Sequence, residues 1–156
     1  MSEFMKYYEM GRKVPPEALQ TIVSGPFKGQ TEINPMWDIK RLTEMFGPCG
    51  LGWYTDLPKF WHTESTAGTS HGCELIVSCR INLYVRFNGE WSKPIVGIGG
   101  SKMVIDLGYS GETIEDDEYC SDQEACKRAY ADAIATACRS LGIGADFYYA
   151  EDLTGQ

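Results

Sequence analysis

The chain has 156 residues, 43% of them hydrophobic, and a formal net charge of −8. That fits one domain able to bury a real core and excludes general disorder. No run approaches ~18 consecutive apolar residues, so no transmembrane span is expected. The opening MSEFMKYYEMGRKV carries acids and no apolar core, unlike a secretory signal. The six cysteines (49, 73, 79, 120, 126 and 138) contain no CxxC pair, and the expectation is a cytoplasmic protein with reduced, mostly buried thiols.

The acidity is local. Glu112 to Glu124 holds seven acids and no base, against 15 acids and 14 bases elsewhere. A solvated loop is the plain reading of such a run; a loop that docks a protein partner or repels other chains is the sharper one. Net acidity counts against indiscriminate DNA binding.

In chain order, Ser2 to Met10 predicts a short helix ended by Gly11. Pro15-Pro16 opens a second helix over PPEALQTIV, closed by Gly25-Pro26. Phe27 to Ile33 is a loop or edge strand carrying Lys28. Asn34-Pro35 caps and starts a third helix, with Met36, Ile39, Leu42, Met45 and Phe46 at helical spacing, broken by Gly47-Pro48 and Gly50.

The period then shifts towards two. Leu51 to Leu57 reads as a strand holding Trp53, and residues 58–72 as a loop around Trp61. Glu74 to Phe87 alternates Leu75, Val77, Cys79, Ile81, Leu83, Val85 and Phe87, a long half-buried strand. Asn88-Gly89 is a two-residue hairpin turn. Glu90 to Gly97 returns as a strand, with Pro94 marking an edge or bulge. Gly97 to Ser101 reads as a glycine turn, and 102–120 as a polar, acidic connection.

A helix of about 20 residues follows within Asp122–Gly144, with Cys126, Tyr130, Ala133, Ile134, Ala137 and Leu141 on one stripe. Its six alanines let a large neighbour come close, and Gly142 suits its left-handed stop. The expected fold is α+β: N-terminal helices over 1–32, then a core over 33–144 in which a three- or four-stranded antiparallel meander packs on the long helix, and a short segment 145–156, all one domain.

The order IKRLTEMFGPCGLGW, an Asn-Gly hairpin, VGIGGSK and QEACKRAYADAIATACRSLG resembles the single-strand-annealing core of the Rad-fifty-two-like recombination proteins, which comprise a eukaryotic repair mediator and phage relatives. The likeness runs from about Ile33 to Gly142. Its sharpest parts are Glu44 to Gly47 with Trp53, and Ala125, Lys127, Ala129, Asp132, Ala137, Arg139, Ser140 and Gly142 on the helix.

The resemblance implies a β-β-β-α core that assembles into a homo-oligomeric ring or filament holding single-stranded DNA. It implies no catalysis, no cofactor and a place in phage or prophage recombination and repair. Arg139 and Lys127 match basic positions of the family's groove helix, and Lys28 falls loosely where the family carries another phosphate-contacting cation. Ala135 and Thr136 stand where eukaryotic members carry adjacent basic residues, which thins the groove charge.

Other readings stand beside these. Arg139 also suits the helix C-terminal dipole. Arg128, four residues before Asp132, is expected to pair with it. Lys102 follows a glycine run whose amides can approach a phosphate, or which simply ends a strand. Trp53, Tyr54, Trp61 and Trp91 either stack on bases or fill a core, with Trp53 the more core-like. No P-loop, GxSxG or HExxH occurs, and no metal site is expected. A DNA-mimicking or protein-interaction module on the same fold, or a small metal-dependent nuclease, are the rival functions.

Overall fold

The structure, a computed structural model, describes residues 2–23, 28–65, 72–106 and 123–149, with backbone alone at residues 65, 72–74, 102–106 and 123. A turn of 3-10 helix over Glu3–Met5, begun by Ser2, leads into α1, Lys6–Gly11. The helix expected over PPEALQTIV is a single 3-10 turn, Pro16–Ala18. Leu19–Thr21 instead forms β1, antiparallel to β2, Thr31–Ile33. Proline does start a helical turn here, but one turn cannot offset the cost of nucleation, and the β-branched Thr21, Ile22 and Val23 favour the strand.

Helix α2, Pro35–Phe46, begins as its sequence predicts: Asn34 Oδ1 accepts from the Met36 amide at 3.0 Å, and Pro35 takes the first turn. Strands β3, Trp53–Thr55, and β4, Lys59–Ser65, lie end to end along one edge of the 16-residue β5, Gly72–Phe87. Between them Asp56 staples the break. Its amide donates to Asn82 O at 3.1 Å, and its carboxylate accepts from the Asn82 backbone at 2.8 Å and side chain at 2.9 Å.

The loop expected at 58–72 is therefore largely strand. Phe60 to Glu64 are all exposed, and an edge strand that buries neither side shows no alternation to read. Asn88-Gly89 turns the chain as expected, both residues at positive φ (49° and 82°). Strand β6, Glu90–Trp91, and β7, Ile95–Asp106, then run back along the other edge of β5. The glycine turn expected at Gly97–Ser101 is unbroken strand, and strand continues to Asp106 where a connection was expected.

Helix α3, Gln123–Ser140, follows and is 18 residues long, and a last helical turn, α4, spans Ala145–Tyr148. The architecture is α+β: a three-row antiparallel meander (β3 with β4, then β5, then β6 with β7) with helices against one face. Leu75, Val77, Cys79, Ile81, Leu83 and Val85 of β5 all point to that face and are buried. They meet Ala125, Ala129, Ala133, Ile134, Ala137 and Cys138 of α3 and Leu42 of α2. Trp53 is buried with them, its indole N–H 3.3 Å from Thr43 Oγ1, so it is the core residue of the four aromatics.

The end of α1 is tied to α4. The Gly144 amide donates to Gly11 O at 2.9 Å, and Arg12 Nε donates to Asp146 Oδ1 at 2.8 Å. Among the described residues Cys49, Cys79 and Cys138 are free thiols. Burial first, then neighbouring Cys126, pushes Cys79 up to about 11, and burial raises Cys138 well above its ordinary value, so both are unreactive. No helix among the described residues is long and apolar enough to cross a membrane.

Candidate nucleic-acid interface

A strand that sends one phase of its side chains into a core sends the other phase out. On β5 the outward phase is Ile76, Ser78, Arg80, Asn82, Tyr84 and Arg86, and the helices all lie on the opposite side. Register places Lys59 beside Arg80, Trp61 beside Ser78, Tyr54 beside Tyr84 and Trp91 beside Arg86. Val96 and Ile98 of β7 complete the surface beside Asn82 and Arg80.

This face, which no element among the described residues covers, thus alternates cations with aromatic rings. Lys59, Arg80 and Arg86 are exposed. Trp61 is 45% exposed and Trp91 41%. Tyr54 stacks on Tyr84 with centroids 4.9 Å apart, and Trp91 meets Tyr54 edge-on at 4.8 Å. Asp56, beside Asn82 of this face, has its carboxylate held by Asn82. Glu74 and Asp106 occupy register positions at the far end. Cations to neutralise phosphates and flat rings on which bases stack are the two requirements of a single-strand platform.

Of the basic residues singled out from the sequence, Lys28, Lys127 and Arg139 fall elsewhere, and the four do not form one constellation. Lys28 is exposed at the turn of the separate β1–β2 ribbon. Lys127 is exposed on α3. Arg139 lies twelve residues further on, about 18 Å along the helix and about 120° around it. Lys102 holds the β7 register position opposite Ile76, in the same phase as Val96 and Ile98 of the open face; its side chain lies outside the described residues. The acidic segment is outside them too, apart from its last two residues.

Arg128 does not pair with Asp132. Its Nε donates to Glu124 O at 3.3 Å, while Asp132 Oδ2 accepts from the Gly100 amide at 3.0 Å. The β7 edge offers Asp132 a backbone donor held in place by the sheet. A solvated arginine on its own helix offers less, because holding its side chain still costs entropy.

Arg139 is packed rather than displayed. Its guanidinium carbon sits 3.8 Å from the Tyr148 ring centroid, and its Nε is buried without a hydrogen-bond partner among the described residues. Nearby on α2, Asp38 is 1% exposed and neither carboxylate oxygen has a partner among the described residues. Desolvation pushes its carboxyl up to about 7, against the opposing pull of Arg139. Asp38 of α2 thus feels the charge of Arg139 of α3, whose guanidinium lies against Tyr148 of α4.

The arginines of the open face were within reach of the sequence: the same alternation that marks Leu75 to Val85 as core assigns Arg80 and Arg86 to the other side. Nothing in the sequence marks Asp38, which reads as an ordinary acid in a first helical turn. No protein-family model matches the chain, and no curated protein matches it.

Proposed function

We propose that the protein binds single-stranded DNA without catalysis and anneals complementary strands as a homo-oligomer, a member of the Rad-fifty-two-like annealing proteins. The observation that carries this reading is the uncovered sheet face with Lys59, Arg80 and Arg86 among Tyr54, Tyr84, Trp61 and Trp91. The order of the elements, a three-row meander and then a long helix, agrees with the β-β-β-α core that the resemblance implies. Lys28 and Lys127 are exposed but lie apart from this face; Arg139, stacked on Tyr148, serves the reading less directly than its position on the helix implied.

The mechanism follows from the surface. Cations neutralise the strand's phosphates, rings hold bases unstacked from their own fold-backs, and a complementary strand samples register. Duplex formation supplies the driving force, about 1.4 kcal/mol per stacking step. The protein supplies alignment.

Salt dependence tests this. For single strands, log K falls with log salt at a slope of about −0.7 per phosphate neutralised. Arg80→Ala with Arg86→Ala is expected to flatten the slope by about 1.4, weaken binding at least tenfold and slow annealing, measured by anisotropy and strand-pairing fluorescence. Lys127→Ala and Lys28→Ala are each expected to flatten it by about 0.7 at most, and Arg128→Ala to change little. Unaltered slopes in the double variant would remove the face from consideration and favour a protein-interaction module. Cleavage of the strand in magnesium would favour the nuclease.

Assembly has its own support. Among the described residues no strand pairs with the outer edge of β4 or of β7. Open edges of this length are routinely covered, and pairing between copies is one way to do it. Light scattering at micromolar concentration is expected to give a mass of several subunits; a monomer with and without DNA would refute assembly.

A further inference from the structure

A recess of about 300 Å³ lies at the junction of α1 and α2, on the helical side of the molecule and away from the open sheet face. Trp37, Lys40, Arg41 and Glu44 line it from α2, and Lys13 from the segment after α1. Spacings of three, four and seven residues put all four α2 side chains on one face of the helix.

Arg41 is fixed: its guanidinium donates to the Met10 carbonyl and to Glu44. Lys40 Nζ is 3.9 Å from Glu44, with its side chain 72% exposed. Lys13 is exposed and forms no ion pair among the described residues. Glu44 therefore offsets one of three cations, and the recess stays positive in a chain whose net charge is −8. A positive concavity in an acidic protein focuses anions locally. Trp37, half-buried at its wall, adds a flat ring.

We infer that this recess binds the phosphate of a nucleotide, with Lys13, Lys40 and Arg41 on the phosphate and the base against Trp37. Its volume suits one nucleotide unit and not a long strand within it. The phosphate belongs either to a free nucleotide or to one unit of a nucleic-acid strand.

Thymidine 5′-monophosphate is the probe, followed by calorimetry and by tryptophan fluorescence. Saturable binding is expected, competed by inorganic phosphate and absent with thymidine. Lys13→Ala with Lys40→Ala should weaken it at least tenfold while the melting temperature and circular dichroism are retained, since both lysines are exposed. Trp37→Phe should remove the fluorescence change.

Arg80→Ala with Arg86→Ala should leave nucleotide binding intact, which separates this site from the proposed sheet interface. If the lysine double variant also loses affinity for single-stranded oligonucleotide, the phosphate belongs to a strand. If strand affinity is unchanged, it belongs to a free nucleotide. No saturable binding of the probe, or binding that the lysine variant leaves unaltered, overturns the inference.

Discussion

Alanine at Gly99 is expected to destabilise the protein by about 3 kcal/mol or more, a fall in melting temperature of about 6–12 °C for a chain of this size. Helix α3 crosses β7 with its backbone against the strand's two buried glycines. A Cβ at Gly99 would stand 2.2 Å from Ala133 N and 2.5 Å from Ala129 O; at Gly97, 2.0 Å from Ala133 O. These neighbours are main chain, so no rotamer change relieves the clash and the helix has to lift. Lifting it opens the contact of Ala125, Ala129, Ala133 and Ala137, all fully buried, with β5, and part of the core goes with it.

Gly100 is the control on the same strand. Its Cβ would point to the open face, with only Val77 O at 3.6 Å. Gly100→Ala is therefore expected to be neutral or to stabilise by up to about 1 kcal/mol, because glycine loses more freedom on folding. Equal melting temperatures for Gly99→Ala and the wild type would mean that α3 does not sit on these glycines.

That contact also explains what was readable in the sequence. Six alanines on α3 announce a close neighbour, and glycines at 97 and 99 are its other half, yet a glycine run taken alone reads as a turn. The information lies in the pairing of two segments some thirty residues apart, not in either one. Strand β5 is legible because one of its sides is buried along its whole length. Strand β4 is not, because it is buried on neither.

The candidate site divides in the same way. Arg80 and Arg86 follow from alternation once β5 is known to bury a single face. The family resemblance instead directs attention to the helix, where Lys127 and Arg139 diverge around the axis. The stacking of Arg139 on Tyr148 depends on the reversal at Gly142 (φ 87°) and Gly144 (φ 76°), which brings α4 back against α3.

Asp38→Asn is expected to abolish a pH dependence of stability that the wild type carries. The Asp38 carboxyl titrates at about 7 in the folded chain against an ordinary 3.8. Folded protein thus holds a proton there that unfolded protein has released. The resulting stabilisation is complete below the unfolded value and is lost as pH rises through the folded one, at about 1.4 kcal/mol per unit.

Between pH 5.5 and 7 the wild type should lose about 2 kcal/mol relative to Asp38→Asn, with no further divergence well above pH 7. Other carboxylates cancel in that difference, which urea titration at several pH values measures. The groups that face Asp38 set its limits: Arg139 pulls the value down, and Cys138 and Tyr148 stay neutral in this range because their own values are raised. A difference that stays level from pH 5.5 to 8 would mean that Asp38 is ionised in both states. Its oxygens, unpartnered among the described residues, would then need water or a direct bond from Arg139, and the guanidinium would have to leave the Tyr148 ring to make it.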